Sequence, residues 1–216
     1  MRKKLNLIIL TLAVFGLLAG ALTAFSSVSA RSNAAVSDTA VVFDFQDHGG
    51  VAIMNPKNRG TSDLVRTVDG VSMNIDTTDL PVGAYTVWYV FFNNPAGCSD
   101  GECGENDVLP PNVNPEAEVS LAWATGGIVG PDRMGHFSGS IGLGADGAPG
   151  AVLWGDGLTD PMGAEIHLIV RYHGPATFDD PAVLGAELTS VGGSCSGDDV
   201  EGGFPCYDTQ ASLHLP

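Results

Sequence analysis

The sequence predicts an all-β protein, an antiparallel β-sandwich with a β-barrel as the alternative. Three observations carry this. Several short segments alternate apolar and polar residues with period two. Turns rich in Gly and Pro (29 and 13 in 216 residues) separate them. The long helical periodicities that parallel βαβ units need are absent.

Residues 1–30 read as a secretory signal. Arg2, Lys3 and Lys4 precede an apolar run from Leu5 to Phe25, and Val28-Ser29-Ala30 supplies small residues for cleavage. An uncleaved anchor is the alternative, because about 20 apolar residues can span a bilayer. Asn6 and Thr11 interrupt the run, and Gly16 and Gly20 weaken it as a helix. The small, polar residues 31–40 predict a flexible lead-in. Residues 41–216 are then long enough for a single β-sandwich domain.

Strand by strand, the expected inward residues are Val41, Phe43 and Phe45, then Val71, Met73 and Ile75. Val119, Leu121 and Trp123 follow, then Phe137, Ile141 and Leu143. Ile166, Leu168, Val170 and Tyr172 come next, and Ala211, Leu213 and Leu215 close the chain. Ala84 to Phe92 is apolar on both faces, which predicts a central strand covered on both sides. Turns are expected at Val68-Asp69-Gly70, Leu80-Pro81-Val82-Gly83, Gly126-Gly127, Gly130-Pro131-Asp132 and Asp146-Gly147. At most one short helix is expected, near residues 180–189. Asp180 would cap it, Pro181 would occupy its first turn, and Leu184 and Leu188 would share a face.

Charge narrows the function. All 25 acidic residues and only six of the nine basic ones lie after Ala30, so the exported chain carries about −19 (6 − 25). Such a surface repels phosphate backbones and excludes nucleic acid as a partner. A membrane is a partner only if the signal segment is kept as an anchor.

Cys98, Cys103, Cys195 and Cys206 can pair in three ways. Each neighbouring pair flanks a short polar loop, so the expected bridges are Cys98–Cys103 and Cys195–Cys206. Each would stabilise the fold by about 2–3 kcal/mol. A zinc site is the rival, but the spacings do not match structural zinc motifs and exported thiols oxidise.

Few residues point to chemistry. The five histidines are His48, His136, His167, His173 and His214. His136 and His214 fall on polar strand faces, where solvation is expected. His167 and His173 share a strand face and are the alternative metal ligands. Six residues at about 3.3 Å each would set them about 20 Å apart, too far for one ion on an unbroken strand. The acidic loops around Asp100, Glu102, Glu105 and Asp107, around Asp146, Asp156 and Asp160, and around Asp198, Asp199 and Glu201 lack calcium-loop spacing, so solvated carboxylates are expected. Gly142-Leu-Gly144-Ala-Asp-Gly147 matches a dinucleotide fingerprint, but Ala148-Pro149-Gly150 follows where a helix should start. No G-x-S-x-G elbow occurs, although a Ser-His-Asp set can be assembled in space on any fold.

Two stretches carry a resemblance. One runs from Thr77-Thr78-Asp79-Leu80-Pro81-Val82-Gly83 through Tyr85-Thr86-Val87-Trp88-Tyr89 and Asn93-Asn94-Pro95 to Cys98 and Cys103-Gly104. The other runs from Asp160-Pro161-Met162-Gly163-Ala164-Glu165-Ile166-His167 through Arg171 to His173-Gly174-Pro175. From about Asp63 onward the chain resembles a group of uncharacterised exported prokaryotic proteins. The Leu-Pro-x-Gly turn before an aromatic strand is loosely similar to the chordin-like (CHRD) sandwich domain, whose histidine-containing strand is replaced here by Tyr85-Thr86-Val87-Trp88-Tyr89. The resemblance implies an exported sandwich and carries over no functional residues.

The expectation is therefore a secreted, periplasmic or cell-surface binding module, non-catalytic and without a cofactor, for an unknown extracellular ligand. Its candidate binding loop holds Asn93, Asn94, Asp100 and Glu102. The alternative is an exported metalloprotein or metal-dependent enzyme using strand histidines and loop carboxylates, with calcium or a transition metal.

Overall fold

A computed structural model describes residues 34–47, 52–108, 113–144, 152–195 and 206–216. The signal segment, His48, Asp146, Asp198, Asp199 and Glu201 lie outside the described residues. Nine strands follow in chain order. They are β1 (Val36–Asp47), β2 (Ala52–Thr67), β3 (Gly70–Thr77), β4 (Gly83–Phe92), β5 (Val119–Val129), β6 (Gly135–Gly142), β7 (Val152–Trp154), β8 (Glu165–Tyr172) and β9 (Tyr207–His214). They form one antiparallel sheet of order β6-β3-β2-β1-β9-β8-β4-β5-β7. The lead-in expected at 31–40 is thus partly strand. Val36 to Ala40 pair with Arg66 to Ser62, and this pairing holds them in the sheet.

The sheet curls until β6 lies against β5, and glycines permit the approach. A Cβ on Gly139 would sit 2.5 Å from the Ala124 carbonyl oxygen, and one on Gly127 would sit 2.9 Å from the Phe137 ring. The turn expected at Gly126-Gly127 is instead continuous β5, since both glycines serve close packing rather than chain reversal. The turns at 68–70, 80–83 and 130–132 fall where the sequence places them. Tyr85 Oη donates to Pro81 O at 2.6 Å and Tyr172 Oη to Val82 O at 3.1 Å, which ties the 80–83 turn to the core.

The concave side is packed with Leu64, Met73, Ile75, Tyr89, Phe91 and Leu168 among others. Each such side chain contributes about 1.5–3 kcal/mol on burial. Strand β4 is buried at all ten positions, as its two-faced apolar pattern predicts. Its outer face carries a second cluster, in which Val90, Phe92 and Val119 pack with Cys98 and Ala117.

Two segments supply that outer cover. One is the excursion between β4 and β5, bridged by Cys98–Cys103 (Cα–Cα 4.9 Å). It contains α1 (Glu105–Val108), a single turn that the sequence reading, with at most one helix, misses. The other is α2 (Pro181–Thr189) with the loop after it, bridged by Cys195–Cys206 (Cα–Cα 5.5 Å). Asp180 caps α2 by accepting from the backbone N–H groups of Ala182 and Val183, the cap its sequence predicts. Both disulfides fit an oxidising compartment. Among the described residues no helix is long and apolar enough to cross a membrane.

Outer cover changes which face of a strand is buried. In β5 the main core takes Ala122 and Ala124, while Leu121 and Trp123 face outward, the reverse of the expected phase. Trp123 Nε1 donates to Leu188 O at 3.0 Å, under α2. In β1, Val42 is in the core and Val41 is exposed. In β9, Gln210, Ser212 and His214 point inward, Leu213 is half-buried, and Leu215 beyond the strand is exposed. Leu143, just past β6, is also exposed.

Gly126 tests the α2 contact. A Cβ there would lie 2.0 Å from Leu188 O, a backbone atom that cannot swing away. Gly126→Ala is expected to cost about 1–3 kcal/mol in urea denaturation. Gly185→Ala, inside α2 with nothing within 4 Å, should gain about 0.5–1 kcal/mol. Equal midpoints for the two variants would refute this packing.

Candidate binding groove

The outer cover is incomplete. Between the two covering segments lies a groove of about 560 Å³, within the range of small-molecule sites. Trp88, Val90 and Phe92 of β4 form its floor with Leu121 and Ile169. Cys103 and Val108 wall one side, and Val191 and Leu213 line it elsewhere. This is the aromatic strand of the sequence reading, covered on its inner side and partly open on its outer side.

Polar groups at the groove are few and mostly committed. His167 Nε2 lies 2.7 Å from Glu165 Oε1, and its ring packs 4.8 Å from that of Phe92. Arg171 donates from Nη1 to Asp208 Oδ1 at 2.7 Å and from Nε to Val191 O at 3.0 Å. Trp88 Nε1 donates to Thr86 Oγ1 at 2.7 Å, which fixes the indole at the floor.

The side chains of the candidate binding loop make contacts within the fold. Asn93 donates to Glu118 O and Gly157 O and accepts from the Thr159 backbone N–H. Asn94 donates to Glu116 O. Both amides therefore hold the loop to its neighbours. Glu102 is exposed, and the backbone of Asp100 lies in the 3-10 turn Ser99–Gly101. Asn93, Asn94 and Glu102 are not among the groove's lining residues, and the loop reaches the groove through Cys103, Gly104, Glu105 and Val108.

A residue expected from sequence to be a solvated carboxylate organises that loop. Asp107 is fully buried and accepts from the backbone N–H groups of Ser99 and Gly104 and from Asn114 Nδ2, at 2.8–3.0 Å. Burial alone would raise its carboxyl, but these hydrogen bonds outweigh burial and hold it below the usual range. Glu187 plays the same part in the second segment. Buried in α2, it accepts from Thr177 N, Thr177 Oγ1 and Ser194 Oγ. Again the hydrogen bonds overcome burial and lower its carboxyl.

The two histidines considered as metal ligands do not meet. His167 faces the groove, whereas His173 lies past the end of β8 with Nε2 2.7 Å from Thr86 Oγ1 and Nδ1 2.9 Å from Cys206 Sγ. His136, as expected, is on the surface, beside Asp76.

His214 is the exception to the solvated reading. It is fully buried, with Nδ1 2.5 Å from Asp38 Oδ2 and Nε2 2.8 Å from Ser62 Oγ, which in turn lies 2.7 Å from Ser212 Oγ. The order Asp-His-Ser has the connectivity of a nucleophilic triad. Yet Ser62 is also fully buried, and a nucleophile must reach its substrate. The chain instead pins β1, β2 and β9 together from inside. Arg66 extends it, donating to the carbonyls of Pro161, Ala164, His214 and Leu215. Positions 38, 62 and 214 are too distant in sequence for any spacing to reveal this. Comparison of the chain with protein-family models, curated proteins and solved structures gave no match.

Two outcomes follow from these networks. Asp107→Ala leaves three donors without their acceptor and should lower stability by about 1–3 kcal/mol, read as a lower thermal midpoint. An unchanged midpoint would show the loop to be held otherwise. For His214, burial lowers the pKa by more than the Asp38 hydrogen bond raises it. The unfolded chain then binds the proton more tightly, so stability is full above about pH 6.5 and falls as pH drops below it. The loss is at most about 1.4 kcal/mol per pH unit for this histidine. His214→Gln should flatten the dependence of the urea midpoint between about pH 7.5 and 5.5. A slope equal to that of the unmodified protein would contradict a buried neutral imidazole.

Proposed function

We propose that the protein is an exported, non-catalytic binding module that holds a small, predominantly apolar, uncharged molecule in the groove over β4. The observation that carries this is the groove itself. It combines an aromatic and aliphatic floor with a few polar groups that already have partners. Such a lining rewards burial of apolar surface and supplies orientation through His167 and Glu105 rather than bond chemistry. Charge supports an uncharged ligand, since the one arginine at the groove is neutralised by Asp208.

In this reading residues 1–30 direct export and are removed, consistent with two disulfides in the remainder. The curled sheet, with β6 folded over β5, serves as the two apposed layers of a sandwich.

A neutral probe, N-phenyl-1-naphthylamine, tests the site. Titration should show saturable uptake of one equivalent with enhanced probe fluorescence. Leu121→Glu and Ile169→Glu place a charge in the apolar floor and should each weaken binding tenfold or more. Uptake that is non-saturable, or equal in both variants, would sink the proposal.

A further inference from the structure

Three potential metal ligands converge at the edge of the second covering segment. His173 Nδ1 lies 2.9 Å from Cys206 Sγ and 3.8 Å from Cys195 Sγ, and the three ligand atoms all fall within 4.8 Å of one another. The sulfurs are joined as a disulfide, so in this state they cannot ligate. We infer that reduction of Cys195–Cys206 creates a site for a thiophilic cation, Cu(I) or Zn(II), held by the two thiolates and His173 Nδ1.

Geometry supports the donor set. Bond lengths of about 2.3 Å to sulfur and 2.0–2.1 Å to nitrogen place tetrahedral ligand atoms about 3.6 Å (S to N) and 3.8 Å (S to S) apart. The Cys195 Sγ to His173 Nδ1 distance already satisfies this, and once the S–S bond is broken Cys206 Sγ need retreat by under about 1 Å from His173 Nδ1 and by about 1.7 Å from Cys195 Sγ. Soft thiolates with imidazole suit these two ions.

Surrounding groups hold the ring ready. Thr86 Oγ1 engages Nε2, so the second ring nitrogen is oriented in the way that ligating histidines are usually held. Gly193 (φ +50°) packs its backbone onto the ring, and a Cβ there would lie 2.3 Å from Nδ1. Ser194 is anchored on Glu187, which positions Cys195 beside it. Burial lowers the His173 pKa to about 4, leaving the imidazole neutral and its lone pair available at neutral pH.

The chemistry balances with a dithiol reductant. The reductant delivers two electrons and two protons and becomes a disulfide, while the Cys195–Cys206 bond breaks to two thiols. The cation then displaces both thiol protons to solvent. Disulfide and metal are therefore mutually exclusive occupants of one site.

The full exported chain is reduced with a phosphine under argon and titrated with Zn(II) and, separately, with Cu(I) against a chromophoric chelator. The reduced protein should bind one more ion per chain than Cys195→Ser/Cys206→Ser, and the oxidised protein none. His173→Ala should weaken that ion tenfold or more, and Thr86→Val should weaken it through the ring's orientation. X-ray absorption on the loaded unmodified protein should show nitrogen beside sulfur in the coordination shell, a readout that holds even where a variant does not fold. No additional ion on reduction, unchanged affinity in His173→Ala, or a shell without nitrogen would each overturn the inference. Probe uptake by the oxidised protein reports on the groove separately.

Discussion

Strand β4 is apolar on both faces, and the rest of the molecule answers the need to cover them. Its inner face is closed by curling the sheet, which glycines at 127 and 139 permit. Its outer face has no second regular sheet to meet. Cover comes instead from two short, irregular segments, the 93–118 excursion and α2 with its following loop. Segments of this kind bury too little apolar surface to order themselves. Each therefore carries the same pair of devices, a local disulfide and a buried carboxylate saturated by hydrogen-bond donors. Cys98–Cys103 goes with Asp107, and Cys195–Cys206 goes with Glu187. The groove is the strip of β4 that the two segments leave between them.

Inside the sheet the lining is divided. Strands β3, β4, β6 and β8 contribute mainly aliphatic and aromatic side chains, while β1, β2 and β9, besides Val42 and Leu64, contribute Ser62, Arg66, Gln210, Ser212 and His214, with the half-buried Asp38 beside them. Thr77 joins this lane by donating to Gln210 Oε1 at 2.6 Å, and Gln210 Nε2 donates to Thr78 O. A polar lane costs burial energy but fixes register, because a one-residue slip in β9 would strand His214 and Ser212 outside their partners. Apolar contacts alone, being non-directional, would impose no such penalty on the slip.

That division explains what could be read from the chain. Strands β3, β4 and β8 were legible because their inward residues are apolar at period two. Strand β2 was not, since its inward positions include Ser62 and Arg66 and its first half reads as a loop, Asn55-Pro56-Lys57-Asn58. Strands β1, β5 and β9 are marked by their period, but the period puts the wrong face inward, because apolar residues under the outer cover (Leu121, Trp123), at the groove (Leu213) or exposed (Val41, Leu215) look like core residues in sequence. The short β7 has too few residues to show a period. Both disulfides were legible from their spacing. The groove was not, because it depends on where two loops stop, and the His173 cluster was not, because 22 residues separate His173 from Cys195.

Charge decides what the groove favours. The chain is strongly acidic, and the described basic residues are all engaged internally. Arg59 is bidentate to Asp44 at 2.6 Å and also meets Asp79, Arg133 donates to the carbonyls of Leu80 and Asp79, and Lys57 lies 3.8 Å from Asp79. Arg66 caps buried carbonyls, and Arg171 faces Asp208. No described cation is left over to receive an anionic ligand, whereas the carboxylates of Glu105 and Asp208 line the groove. A fatty carboxylate would thus enter against an unfavourable field and without a counter-ion, and its desolvation would cost several kcal/mol. An uncharged apolar molecule avoids both costs and retains the burial energy of the β4 floor. In the proposed reading the acidity of the chain would therefore act as the groove's selectivity filter.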